Sequence, residues 1–134
     1  MKRLLALLFL STTLVCSARG ADTSLRKLWA SSQYTSQPLP AAWQAASPPA
    51  MQTDLARYQQ FEWRKDGSSI QSFINRFGIP SRYLGSRREK ESDFLIYDLP
   101  SGHAVALYVP KPPATQFSAC VIIDADGTLV ELFK

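Results

Sequence analysis

The sequence contains few of the residue types on which enzymes and metal sites most often depend. It has one histidine, His103, and two cysteines, Cys16 and Cys120, among 134 residues. So few cysteines exclude a framework of several disulfide bonds and a zinc site built on cysteine ligands. The sequence also lacks a glycine-rich phosphate-binding loop, and no pair of carboxylates lies within an apolar run, as glycoside hydrolysis would require. We therefore predict no metal, no cofactor and no enzymatic activity.

The first twenty residues have the pattern of a secretory signal peptide. Lys2 and Arg3 precede an apolar run over 4–10, which is too short to cross a bilayer. Small residues around Ala18 suit cleavage by a signal peptidase. We therefore expect residues 1–20 to be a signal peptide and the protein to be exported to the periplasm, the periplasmic face of the outer membrane, or the exterior.

Cys16 leaves open how the exported protein is held. A cysteine that follows an apolar leader is a candidate lipid-attachment site, but a lipoprotein leader has a small residue before that cysteine, and Val15 stands there instead. Cys16 could equally be removed with the signal peptide. Association with a membrane is expected only through such a lipid anchor.

Most of the basic character lies in the leader. The chain carries 15 Lys and Arg against 11 Asp and Glu, a net charge of +4. The leader holds three of the basic residues and no acidic one, which leaves 12 against 11, or +1, for residues 21–134. Such a chain lacks the basic surface that nucleic-acid binding requires. We predict a protein partner in the cell envelope and no nucleic-acid ligand.

The remaining residues divide into an arm and one domain. Residues 21–46 are rich in Ser, Ala, Gln and Pro and have no regular period beyond a short helical pattern around Trp29, so we predict an arm or linker. Trp43, which stands alone in it, is expected to pack back on the domain. Residues 47–134 are long enough for one small core.

Two helices are predicted at the start of the domain. The first follows a capping signal at Ser47 and ends before the Asp-Gly pair at 66–67. The second begins after Ser69 and ends at Gly78, with a proline just beyond. Its apolar residues fall at helical spacing: Ile70, Phe73, Ile74 and Phe77.

Four runs rich in β-branched and aromatic residues then predict strands, and the turn signals between them indicate an antiparallel meander. The runs cover 94–99, 104–109, 117–123 and 128–133. The predicted fold is α+β, with two helices packed on a three- to four-stranded antiparallel sheet. The central runs barely alternate polar and apolar residues, so both faces of the sheet should be covered. The arm, a partner or a membrane surface could cover the second face.

Within residues 66–134, a helix that ends in Gly-x-Pro is followed by an aromatic strand, an aliphatic strand and a final hairpin. The corresponding segments are FINRFGIPSRYLG, FLIYDLPSG, AVALYV and VIIDADGTLVEL. This order resembles the SmpA/OmlA-like small lipoproteins of the bacterial outer-membrane β-barrel assembly machinery. The resemblance implies two helices on a three-stranded antiparallel sheet, a lipid-bearing cysteine and a role as an assembly accessory.

The segment SRREKESD at 86–93 is the densest run of charge, and its charges sum to zero. We interpret it as a solvated loop whose arginines could form a basic rim for an acidic protein surface or anionic lipid. Aromatic residues on the neighbouring predicted strands could add to such a contact. The candidate partner-binding residues are Arg82, Tyr83, Arg87, Arg88, Tyr97 and Tyr108.

His103 and Cys120 suggest alternatives to partner binding. A Cys–His nucleophile pair needs both residues close together and a third group that orients the histidine, and no such group is apparent. Cys120 lies in an apolar run and is interpreted as a core residue. The alternative functions are a binder of a small ligand or lipid, with a pocket near these two residues, and a secreted enzyme inhibitor.

Overall fold

The computed structural model describes residues 25–43 and 50–133. Its elements are α1 (25–30), β1 (Tyr34–Ser36), a 3₁₀ helix (Ala41–Trp43), α2 (Leu55–Gln59), α3 (Trp63–Asp66), α4 (Ile70–Phe77), β2 (Arg82–Ser86), β3 (Asp93–Asp98), β4 (Ala104–Val109), β5 (Ala119–Ile123) and β6 (Leu129–Phe133). The strands form one antiparallel sheet in sequence order. A mixed helix-and-sheet fold is confirmed. The predicted number of elements is wrong, since the described residues contain four α-helices and six strands.

Helix α4 matches its prediction at both ends. The Ser69 side chain accepts a hydrogen bond from the backbone N–H of Ser72 at 3.2 Å, which caps the first turn. Gly78, with φ +97°, ends the helix, and its N–H donates to the carbonyl of Ile74 at 2.7 Å. The apolar residues of the helix are all buried on one face, so α4 is the main helical cover of the sheet.

The first predicted helix is replaced by two short ones. Helix α2 begins after Asp54, whose side chain accepts from the N–H of Ala56 at 3.0 Å, and it ends at Gln60. The helix was expected to begin after Ser47, which lies outside the described residues. It begins later because Asp54, inside the expected helix, acts as its cap. Helix α3 follows as a separate turn.

One face of the sheet is covered by the 3₁₀ helix, α2 and α4. Aromatic side chains dominate this layer, and the rings of Tyr58 and Phe77 stack at 4.5 Å between centroids. Trp43 is buried and packs edge-on against Tyr83 at 5.5 Å, so the expectation that it packs back on the domain is confirmed. The thiol of Cys120 lies in the same core.

The opposite face is covered by the chain's own N-terminal segment. Trp29 of α1 and Tyr34 of β1 are buried against Phe94 of β3, with ring centroids 5.6 and 5.5 Å apart. The prediction of an arm or linker at 21–46 is therefore corrected for residues 25–43, which supply a helix, an edge strand and two buried tryptophans. The reason is that both faces of the central strands are apolar and each requires a cover.

Arg26 forms hydrogen bonds that connect α1 to two loops at one end of the sheet. Its guanidinium donates to the carbonyl oxygen of Asp124 at 2.7 and 3.2 Å and to that of Gly102 at 3.1 Å. Charge-assisted hydrogen bonds of this kind stabilise more than neutral ones. Arg26 therefore couples the N-terminal helix to the β3–β4 and β5–β6 connections.

We expect Arg26→Ala to lower the free energy of unfolding by about 1–2 kcal/mol, because it removes these hydrogen bonds from a half-buried group. Lys27→Ala, on the exposed side of the same helix, is the control and should change it by less than about 0.5 kcal/mol. Urea unfolding of both variants measures the difference. Equal effects would mean that α1 is not held by Arg26.

Candidate functional site

The candidate contact residues on β2 lie on opposite faces of the sheet. Arg82 forms a two-point ion pair with Asp98, at 2.8 and 3.1 Å, and its guanidinium lies 5.7 Å from the ring centroid of Trp29. Tyr83 faces the helical layer and is almost fully buried. Because five residues of extended chain span roughly 17 Å, Arg82 is also separated from Arg87. The structure therefore does not bring Arg82 and Arg87 together into the predicted basic rim.

Two of the other predicted contact tyrosines are engaged within the fold. Tyr97 is fully buried, and its hydroxyl donates to the carbonyl of Gly78 at 2.7 Å. It cannot touch a partner, which corrects its assignment as a contact residue. Tyr108 is half-buried, with its ring 4.7 Å from that of Phe94. Strand alternation places Tyr97 on the helical face and Tyr108 on the face covered by α1.

Arg87 and Arg88 are exposed, as expected, directly after β2. Arg88 forms an ion pair with Glu91 at 3.4 Å. The backbone N–H of Arg87 donates to the carbonyl of Gln33 at 2.8 Å, which fixes this corner of the chain to the residues before β1. Among the described residues, no carboxylate forms an ion pair with the Arg87 guanidinium.

Arg87 lines a cleft of about 460 Å³ at the β1–β2 edge of the sheet. One wall is the chain from β1 into the 3₁₀ helix, and the other is the loop after β4. Residues of the cleft used below are Gln37, Tyr83, Ser86, Arg87, Asp93 and Lys111. Four separate segments of the chain therefore meet at this cleft.

The floor of the cleft is a buried carboxylate with three donors. Asp93 accepts from the Tyr83 hydroxyl at 2.8 Å, from the Ser86 backbone N–H at 2.9 Å and from the Lys111 ammonium at 2.6 Å. The side chain of Asp93 is only 3% exposed. A buried charge is tolerated when it is paired and hydrogen-bonded in this way. Asp93 thus positions the groups around it.

Lys111 is the group that Asp93 presents to the cleft. Its ammonium donates to Asp93 and, at 2.5 Å, to the carbonyl of Ser86, and its side chain is 31% exposed. An ammonium has three N–H donors. Two of them have acceptors in the described structure, so one donor is left for a ligand.

Sequence patterns single out neither Asp93 nor Lys111 as site residues. Their proximity depends on the register of the β3–β4 hairpin, in which Asp93 lies opposite Val109 and Lys111 follows two residues later. The signal that could have found them is this pairing: a hairpin closed around the Pro-Ser-Gly turn at 100–102 brings an acid at its start beside a lysine at its end.

His103 and Cys120 are not brought together. Cys120 is buried and lies opposite Leu107, four residues along β4 from His103, a separation of roughly 13 Å at the usual rise per residue. The His103 ring is within hydrogen-bond distance of the Ser101 hydroxyl, at 2.9 Å. No group of three metal-ligating side chains occurs in residues 25–43 and 50–133. A Cys–His catalytic pair is therefore absent from the described chain.

Burial raises the pKa of Tyr58, Tyr83 and Tyr97 above the usual range, and for Tyr83 the hydrogen bond to Asp93 raises it further. A raised pKa means that the folded protein holds protons that the unfolded chain releases near pH 10. Stability from these groups is therefore complete below pH 10 and is lost as the pH rises above it.

We expect the free energy of unfolding to fall steeply from pH 10 upward, and to fall less steeply in Tyr97→Phe, which removes one of the protons concerned. Urea unfolding at a series of alkaline pH values, with tyrosinate absorbance as a second signal, measures the slope. A variant with the same slope as the wild-type protein would show that Tyr97 does not contribute to alkaline unfolding.

No family model, curated protein or solved structure matches this chain. The resemblance to the SmpA/OmlA-like lipoproteins stays a prediction, and the six-stranded sheet exceeds the three strands that it implies. Within the described ranges, no helix has the length and apolar character that crossing a membrane requires. The geometry of the cleft is therefore the basis for the function proposed next.

Proposed function

We propose that this protein is a non-catalytic, exported protein of the bacterial cell envelope that binds a partner protein at the β1–β2 edge of its sheet. The observation that carries the proposal is the open cleft with the buried Asp93–Lys111 ion pair as its floor and the exposed Arg87 at its rim. The Asp93 carboxylate and the Lys111 ammonium are fixed by hydrogen bonds before anything binds, which lowers the ordering cost of association.

Because both faces of the sheet are covered, a partner is expected to bind at one of its edges. Helix α1 occupies one face and the helical layer the other, so neither face is open to a partner across the described residues. At the far edge, the pairing of β6 with β5 is irregular between Ile122 and Ile123. Such irregularities interrupt the ladder that an added strand would extend.

The near edge favours contact through side chains. Strand β1 has three residues, and Pro38 and Pro40 follow it closely. Short edge strands and prolines oppose the addition of a further strand. A partner at this edge would therefore be recognised by the cleft and its rim rather than by backbone pairing along the sheet.

The signal-peptide pattern and the resemblance to the SmpA/OmlA-like lipoproteins suggest which partner to look for. The signal-peptide pattern at 1–20 supports a cleft that works outside the cytoplasm. The resemblance makes a component of outer-membrane protein assembly the first partner to test. The intact mass of the protein from its native envelope checks the address. A chain that begins at Cys16 with acyl groups would support the assembly role, and an unprocessed chain that begins at Met1 would contradict export.

The binding surface is tested by the double variant Arg87→Glu with Arg88→Glu. We expect the double variant to reduce about tenfold or more the amount of partner protein that is recovered from the envelope after crosslinking. The reason is that like charges replace complementary ones at the rim of the cleft. The midpoint of thermal unfolding should stay nearly unchanged, since both side chains are exposed.

The matched control is Arg64→Glu with Lys65→Glu, a pair of adjacent exposed basic residues on α3. It makes the same change in net charge at a distant surface and should leave recovery intact. Partner recovery that is equal for both double variants would remove the cleft rim from the proposal.

The alternative is a binder of a small ligand, and the size of the cleft is the observation in its favour. A volume of about 460 Å³ falls within the range of small-molecule sites. The cleft is open to solvent, however, whereas small-molecule sites enclose most of the ligand. This openness favours a protein partner.

A further inference from the structure

We infer that the cleft recognises a carboxylate, presented by an acidic side chain in an extended segment of the partner. The inference rests on the proposed function and names the chemistry of its partner. It follows from the charge that the cleft exposes, from the fixed position of its lysine, and from a second cleft beside it that has an aliphatic part.

The charge in the cleft favours a single negative group. Lys111 and Arg87 bring two positive charges, and Asp93 brings one negative charge. Both oxygens of Asp93 accept hydrogen bonds from groups of the protein, and the Asp93 charge offsets one of the two positive charges, whereas the Lys111 ammonium is partly exposed. The surface seen by a ligand therefore has a net charge of +1, which complements a monoanionic carboxylate better than a phosphate dianion.

The lysine is held in place for such a contact. Its ammonium is bound by Asp93 and by the carbonyl of Ser86, and the third N–H is left for an acceptor in the cleft. Because the flexible side chain is already ordered, little conformational entropy remains to be lost on binding. Arg87, which has no ion-pair partner in the described chain, supplies a second donor group at the rim.

A second cleft, of about 200 Å³, favours an extended segment over a free carboxylic acid. It shares Gln37 and Tyr83 with the first cleft, and Leu39, Ile79 and Pro80 supply apolar lining beside the polar groups of Ser36, Ser81 and Arg82. Ile79 is 44% exposed, an unusual state for an isoleucine. A segment with an aliphatic residue near an acidic one fills both clefts at once.

Gly85 provides a way to narrow the first cleft without altering charge. Its backbone conformation does not require glycine, but a Cβ at this position would lie 2.8 Å from Cγ of Gln37. The Gln37 side chain is exposed and can move, so we expect Gly85→Ala to fold and to shift Gln37, which lines the cleft. This variant tests the site even where a change at Lys111 perturbs the fold.

The test is a titration of the full-length, ¹⁵N-labelled protein with two blocked peptides, ALELA and ALQLA, followed by NMR. We expect the glutamate peptide to shift the amide signals of Ser86, Arg87 and Lys111, and the glutamine peptide to bind about tenfold more weakly. Arg87→Gln and Gly85→Ala should each weaken binding of the glutamate peptide several-fold, and added salt should weaken it in the wild-type protein.

Equal binding of the two peptides, or shifts confined to another surface, would overturn the inference. So would binding to vesicles of equal parts phosphatidylcholine and phosphatidylglycerol with no preference between the peptides, which would assign the cleft to a membrane surface. If the peptides fail to discriminate but the Arg87/Arg88 double variant still loses its partner, the proposed function stands without this inference. If ALELA binds and the double variant keeps its partner, the proposed function fails.

Discussion

Gly78→Ala is expected to lower the free energy of unfolding by about 3 kcal/mol or more, from backbone strain and overpacking together. Gly78 has φ +97° and ψ −177°, a region that is almost closed to residues with a side chain. A Cβ there would lie 2.6 Å from the Cα of Met51, which is backbone and cannot swing away. The substitution would also disturb the hydrogen bond that the Gly78 carbonyl accepts from Tyr97.

The control is Gly67→Ala. Gly67 also has a positive φ, +80°, but nothing lies within 4 Å of the position that its Cβ would take. This variant should lose only about 1 kcal/mol, the cost of the backbone conformation alone. Chemical unfolding of both variants compares the loss from backbone strain and overpacking together, at Gly78, with the loss from a positive φ alone, at Gly67. Equal losses would show that the contact with the Met51 backbone is unimportant and that strain alone requires the glycine.

Asp93→Ala is expected to lower the free energy of unfolding by about 3–5 kcal/mol, the usual cost of removing one partner of a buried ion pair. The substitution leaves the Tyr83 hydroxyl and the Ser86 N–H without their acceptor, and it leaves the Lys111 ammonium with one acceptor in the described structure. It should also allow Lys111 to move and so weaken binding in the cleft.

Asp98→Ala is the matched control at the other end of β3. Asp98 also pairs with a basic residue, Arg82, but both side chains are well exposed, and surface pairs contribute only about 0–1 kcal/mol. Urea unfolding at neutral pH compares the two variants. A loss for Asp93→Ala no larger than that for Asp98→Ala would mean that the buried pair does not organise the cleft.

Much of the helical and central β structure follows from local patterns. Helix α4 has its predicted cap, apolar face and stop, and β4 has the predicted bounds, because each feature is encoded within a few consecutive residues. The turn at 124–127 also matches its prediction as a hairpin connection. Its Asp124 side chain accepts from the N–H groups of Asp126 and Thr128 at 3.1 and 3.0 Å.

Strands β1 and β2 do not follow from local patterns. Strand β1 has only three residues, and β2 contains Gly85 and no β-branched residue, so neither run has the pattern that predicts a strand. Their pairing, Thr35 opposite Gly85, joins residues fifty positions apart. Tertiary context determines these strands, and with them the cleft wall.

The candidate site could be predicted only in part, because some of its features depend on tertiary context. Arg87 and Arg88 lie in a charged run and their exposure follows from local composition. The Asp93–Lys111 pair depends on hairpin register, and the burial of Tyr97 depends on which face of the sheet α4 covers. Neither relation is visible in the residues taken one segment at a time.

Partner binding at the cleft can be tested by photo-crosslinking in the intact cell envelope from a benzophenone amino acid placed at Gln37, an exposed residue shared by the two clefts. The same amino acid at Lys65, exposed on α3, is the control. We expect a discrete adduct with one envelope protein from position 37 and none from position 65. The absence of any adduct from position 37, or the same adducts from both positions, would contradict partner binding at the cleft.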